Sequence, residues 1–156
     1  MKKELVVSLI LVGLVLFALG LQPYLFNAEE SKQSTREEIV TGASDYPSLA
    51  VELSEMINNI SPTPALGELG WMAQRISFIK DGSRAYIEYT DARIALRLLL
   101  EYYNQDGELK ATVLATFIPT EFGGWELQYG KDRDQGKNLS HFVFDGDSNQ
   151  WIPEIK

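Results

Sequence analysis

The chain has no cysteine and a single histidine in 156 residues. The first absence removes disulfides, thiolate metal sites and cysteine nucleophiles together. The second leaves His141 without the companions that a histidine metal site or a Ser-His-Asp triad requires, so its expected role is structural. Positive charge is also scarce, with 14 Lys and Arg against 22 Asp and Glu. Phosphate backbones are held by clustered Lys and Arg, so this balance argues against nucleic acid as a partner. It argues against docking on anionic lipid headgroups for the same reason. No motif in the chain specifies a reaction, a metal or a cofactor, and no enzyme activity is expected.

One long apolar run is present. Leu5 to Leu21 reads LVVSLILVGLVLFALGL, 17 residues without a charge. That length is at the lower limit for spanning a bilayer and longer than a usual signal-peptide core. Tyr24 suits a membrane interface, and Lys2 and Lys3 favour a cytoplasmic N-terminus. The sequence therefore predicts a single transmembrane anchor within residues 1–26, with the rest of the chain extracytoplasmic. Cleavage as a signal peptide is the competing reading, because Ala18-Leu19-Gly20 offers small residues at the right spacing. Residues 27–44 are polar and read as a linker, in which Thr35-Arg36-Glu37-Glu38 matches a helix capping box. A domain at 45–156 follows.

The domain opens with an amphipathic pattern. Leu49, Leu53, Met56, Ile57 and Ile60 recur at helical spacing, opposite Glu52, Glu55, Asn58 and Asn59. Ser44 or Asp45 can cap this helix, Pro47 is tolerated in its first turn, and Pro62 ends it.

Residues 92–103, ARIALRLLLEYY, have helix-forming composition but sit between two hairpin signals, Asp81-Gly82 and Asp106-Gly107. Counting outward from the first tip pairs Phe78 with Ala85, Ile76 with Ile87, Ser77 with Tyr86 and Arg75 with Glu88. From the second tip, Tyr102 meets Ala111, Leu100 meets Val113, Leu98 meets Ala115 and Leu96 meets Phe117. A turn at Thr90-Asp91 would join the hairpins and set Glu88 against Arg93. One face stays apolar throughout, and a one-residue slip would destroy this, so the stretch is expected to be a strand. Shorter strands follow around Trp125–Tyr129, His141–Phe144 and Trp151-Ile152. The expected fold is α+β: one N-terminal amphipathic helix on an antiparallel meander of about six strands. In element order this is similar to cystatin-like or NTF2-like folds. A small barrel plugged by the helix is the alternative.

On the outer face the same counting leaves Leu99, Leu114 and Ile118, a patch that the C-terminal strands or a partner must cover. With Trp125 they are the candidate binding residues. Asp145, Asp147 and Asn149 start like a calcium loop, but Gln150 and Lys156 stand where glycine and glutamate are needed, so a plain turn is expected. Asp132 and Asp134 read as a solvated loop. Glu88, Glu101, Arg75, Arg93 and Arg97 read as a cross-strand charge ladder; Glu88 becomes a candidate acid only if that face is an inner cavity. The functional expectation is a membrane-anchored, non-enzymatic domain that binds another protein as an accessory or scaffold subunit of a membrane or envelope assembly. The alternative is a carrier or sensor of small apolar ligands or lipids. Its cavity would lie between helix and sheet, walled by Tyr89, Leu96, Leu98, Leu100, Phe117, Leu53 and Met56.

Overall fold

The computed structural model describes residues 36–37, 45–80 and 82–155. The expected anchor and the turn residue Asp81 lie outside the described residues. Among the described residues no helix is long and apolar enough to cross a membrane. Helix α1 spans Tyr46–Ile60. The strands are β1 (Arg36–Glu37), β2 (Met72–Ile79), β3 (Arg84–Thr90), β4 (Ala95–Gln105), β5 (Glu108–Pro119), β6 (Trp125–Gly130), β7 (Leu139–Asp145) and β8 (Gln150–Pro153). Seven of them form one sheet in the order β6-β5-β4-β3-β2-β7-β8, and β1 pairs with β4. Every pairing is antiparallel.

The helix forms where its period predicts. Tyr46, Leu49, Ala50, Leu53 and Ile57 are buried along one stripe, and each large apolar side chain on it adds about 1.5–3 kcal/mol by leaving water. Asp45 occupies the N-cap, but its side chain makes no capping bond; its carbonyl accepts the Leu49 N–H at 3.1 Å. The stripe lies on Ile76, Phe78, Ile87, Leu98, Leu100, Tyr102 and Phe142. Tyr46 stacks on Phe78 with ring centroids 4.4 Å apart. The space between helix and sheet, read as an alternative ligand cavity, is therefore filled: Leu53, Leu98 and Leu100 have no exposed surface.

ARIALRLLLEYY is a strand from Ala95 onward. The first hairpin has the expected register from Arg75↔Glu88 to Phe78↔Ala85. The second is correct near its tip, where Asp106 and Gly107 both have positive φ and Leu100 meets Val113. Beyond that, Leu114 is an extra residue in β5. Leu99 pairs with Ala115, Leu98 with Thr116 and Arg97 with Phe117, instead of Leu98 with Ala115 and Leu96 with Phe117. A bulge changes the face of every later residue. Phe117 therefore moves to the sheet face away from the helix, and the register puts Ile118 on the helix side.

The β3–β4 connection also differs from expectation. It takes residues 91–94, so Glu88 pairs with Arg97 rather than Arg93. The buried Asp91 carboxylate builds this loop, accepting the N–H groups of Arg93 and Ile94, both at 2.9 Å. It also accepts those of Leu66 (2.7 Å) and Gly67 (3.1 Å), which ties down the segment between α1 and β2. The Ile94 N–H contributes most, and the four donors together outweigh burial and lower the Asp91 pKa to about 2. Since the folded value lies below the unfolded one, this stabilisation is complete above about pH 4 and is lost as pH falls toward the folded value. Thermal melts followed by circular dichroism will show stability dropping across that window, and a shallower drop in Asp91→Asn.

The same loop holds Ala92 at φ 71°. A left-handed alanine costs about 1–2 kcal/mol, and glycine returns part of that gain as chain entropy. Ala92 is exposed, so Ala92→Gly loses no packing. We expect it to stabilise the fold by about 0.5–1 kcal/mol, or a few degrees of melting temperature.

Two further features depart from the sequence reading. Arg36–Glu37, assigned to the linker and to a capping box, pairs with Asn104–Gln105; β4 outruns β3 there and offers an open edge. The meander also breaks after β6. Strand β7 lies beside β2, with Arg75 opposite Val143, so residues 131–138 cross the sheet on the face opposite α1.

Candidate functional site

This crossover covers the outer apolar patch. Ile79, Tyr86, Leu99, Ala115 and Phe117 are buried there, with Leu114, Trp125 and Leu139 half-buried against them. Leu99 has no exposed surface, and Leu114 sits at the bulge. The register removes Ile118 from this face altogether. Of the four candidate binding residues, Trp125 and Leu114 are partly exposed and line open clefts, but only Trp125 lines the cleft that contains Arg97.

Two aspartates pin the crossover down. Tyr86 donates its hydroxyl to Asp132 Oδ1 at 2.7 Å, and the Asp134 N–H donates to the same oxygen at 3.0 Å. The Tyr86 pKa is raised, by burial first and by this carboxylate second. Asp134 is not the solvated residue expected from its charged neighbourhood. Its side chain is wholly buried, with ion pairs to Arg84 at 3.2 Å and Lys137 at 2.5 Å. Burial alone would raise its pKa, but the hydrogen bonds and charges of Lys137 and Arg84 outweigh it and the pKa is lowered. Glycine makes the start of the crossover possible. Gly130 has φ +86°, and a Cβ there would stand 2.1 Å from the Leu114 carbonyl oxygen.

Between β6 and the crossover lies a cleft of about 420 Å³, walled by Tyr86, Arg97, Phe117, Trp125, Leu127 and Asp132. Arg97 is its centre. The guanidinium carbon sits 4.1 Å from the Tyr86 ring centroid, 5.8 Å from Trp125 and 5.9 Å from Phe117. Only 17% of the side chain is exposed, and the carboxylate of Glu88 is 3.9 Å away. Nε is buried with no hydrogen-bond partner. Burial lowers the Arg97 pKa, against the opposing charge of Glu88. A guanidinium carries five donors, and leaving buried donors unused is costly. The aromatic rings provide cation–π attraction but no acceptor in the guanidinium plane. The arrangement can take an anionic, planar acceptor.

The expected charge ladder exists in altered form. Glu88 lies between Arg75 at 3.8 Å and Arg97, Glu101 pairs with Arg84 at 3.2 Å, and Arg93 is out in the loop. Tyr89, next to Glu88 in the chain, is buried on the helix face and shares a 3.1 Å hydrogen bond with Ser61. His141 Nδ1 is 2.8 Å from Ser77 Oγ on the neighbouring strand. Asp145 closes the β7–β8 turn by accepting the Asp147 N–H (3.2 Å) and the Ser148 hydroxyl (2.6 Å). Among the described residues no group of three or more His, Asp or Glu could hold a metal ion.

Sequence reasoning missed Arg97, Tyr86, Phe117 and Asp132 as one site. The available signal was an arginine interrupting the apolar run LRLLL on the outward phase, together with a loop bounded by Gly130 and Gly136.

Fold and site together define a small α+β domain with an arginine-based cleft under a crossing loop. No protein-family model matches this chain, and neither a curated protein nor a solved structure does.

Proposed function

We propose that this chain is a membrane-anchored, extracytoplasmic, non-enzymatic domain that binds another protein through the cleft at Arg97, as an accessory or scaffold subunit of a membrane or envelope assembly. The observation that carries the reading is the caged guanidinium, its buried Nε without a hydrogen-bond partner, beside a solvent-open apolar wall, a combination suited to recognition. The apolar run at residues 5–21 supports the anchor, and Lys2 and Lys3 support its orientation. A helix laid on an antiparallel sheet is similar to the cystatin-like or NTF2-like layout. The return of β7 beside β2 departs from the simple meander expected.

The test is recovery of the full-length chain from its native membranes after mild crosslinking, with recovered proteins identified by mass spectrometry. A discrete stoichiometric partner is expected, and it should be lost in Leu127→Asp, which alters an exposed cleft residue. Recovery of the same partner with Leu127→Asp rejects the cleft as the surface. Recovery of the chain alone rejects the binding role. A chain recovered with its N-terminus near Leu21 rejects the anchor.

A further inference from the structure

Resting on that reading, we infer that the cleft takes the C-terminal residue of a partner polypeptide, with the terminal carboxylate on Arg97, the last amide N–H on Asp132 and an apolar last side chain against Trp125 and Leu127.

The charge on Arg97 selects the first group. Its aromatic neighbours lie within cation–π range, and its buried Nε has no hydrogen-bond partner. What it lacks is an acceptor in the plane of its fork, and a carboxylate matches that fork with two parallel bonds. The surroundings favour a single negative charge over a dianion. Glu88 and Asp132 both act on Arg97 electrostatically, and the whole chain carries −8, so a phosphate would meet more repulsion than a carboxylate.

Asp132 selects the second group. Its Oδ1 already accepts from Tyr86 and from the Asp134 N–H. Asp132 itself lines the same cleft, and a carboxylate has a second oxygen able to accept. Arg97 and Asp132 stand on one ring, the first over the face of Tyr86 and the second at its hydroxyl. A ligand serving both must therefore carry an anion and a donor close together. The last residue of a polypeptide does so, with its N–H two bonds from the carboxyl carbon.

Sheet topology selects a chain over a free small molecule. Strand β6 ends the sheet, so its outer backbone groups have no strand partner among the described residues. Leu127 and Tyr129 on it are 45% and 76% exposed. A polypeptide whose last residue fills the cleft can lay its preceding residues along this edge and complete its hydrogen bonds. The cleft itself is too small for a helix, which needs a diameter of about 10 Å.

The experiment is calorimetric titration of the full-length chain in detergent micelles with acetyl-Ala-Ala-Leu, as the free acid and as the C-terminal amide. The acid should bind, and the amide should bind at least 30-fold more weakly, as expected when a buried charge loses its partner. Arg97→Met should lose the acid to the same extent while melting at or above the wild-type temperature, because an apolar side chain of similar volume replaces a buried, unsatisfied cation. The acid–amide comparison on the wild type decides the matter even if that variant does not fold. Equal binding of acid and amide, or no binding of either, overturns the assignment. Acetyl-leucine binding as tightly as the tripeptide assigns the cleft to free carboxylates and overturns the polypeptide end. Displacement of the acid by equimolar inorganic phosphate overturns the carboxylate. If the tripeptide fails while Leu127→Asp still releases the crosslinked partner, the terminal-residue assignment falls and the binding role stands.

Discussion

Gly130→Ala lowers the melting temperature by roughly 10 °C or more, while Gly136→Ala lowers it by only a few degrees. Both glycines lie in the left-handed region, at φ +86° and +82°. The conformational cost of a Cβ is therefore nearly the same, about 1 kcal/mol. The surroundings differ. A Cβ on Gly136 meets nothing within 4 Å, whereas one on Gly130 meets the Leu114 carbonyl oxygen at 2.1 Å and the Ala115 Cα at 2.8 Å. Those are backbone atoms and cannot rotate aside. Relief requires separating β6 from the β5 bulge, which loses the Ala115↔Gly130 pairing and the 3.3 Å bond from the Lys131 N–H to Leu114. Overpacking of this kind adds about 1–3 kcal/mol to the conformational cost. Equal losses at the two positions would show that the clash relaxes without opening the sheet.

Asp134→Ala is expected to cost about 2 kcal/mol, measured as a fall in the denaturant midpoint with unchanged slope. The carboxylate is fully buried, while Arg84 and Lys137 are 35% and 52% exposed. Removing the aspartate leaves cations that water can still reach, so the loss falls short of the 3–5 kcal/mol typical of a fully buried pair. Arg84 also retains Glu101 at 3.2 Å. Lys137→Met should cost less than about 1 kcal/mol, because one exposed member of an ion pair contributes little. The direction with pH is fixed by the lowered Asp134 pKa. Its contribution is complete above the unfolded value near pH 4 and is lost as pH falls through the folded one. Asp134→Ala should therefore narrow its gap to the wild type in acid; a constant gap would contradict the ion-pair account.

These residues also mark how far the sequence could be read. Asp106-Gly107 fixes a hairpin tip, and from a tip the alternation carries the register outward without further information. It carried correctly to Leu100↔Val113. It failed at Leu114 because that bulge has no local signature: LKATVLATF alternates acceptably in either phase. The tertiary fit at Gly130 accommodates the extra residue, and Gly130 lies 16 positions further on. The charge ladder kept its face but not its partners. Adding four residues to the β3–β4 register preserves the two-residue alternation while exchanging Arg93 for Arg97. Asp134 was unreadable for a different reason. A carboxylate among Lys131, Arg133 and Lys137 resembles any solvated loop until Arg84, 50 positions earlier, reaches it. The candidate site failed with the fold around it: once Phe117 was assigned to the wrong face, no cage around Arg97 could be assembled.

The position of β7 sets an order of assembly. Strands β2 to β6 join through short connections and can pair as they emerge from synthesis. Strand β2 cannot be completed that way, because its second neighbour is made almost 70 residues later; Arg75 waits for Val143. Until then a strand containing Ile76 and Phe78 presents a bare edge, and the helix lacks Phe142 and Trp151 from its core. Such an edge invites pairing with another chain, and closing so long a loop slows folding. The half-made domain is thus most exposed to misassociation just before its last two strands arrive, and a chain truncated at Gly130 would stay in that state.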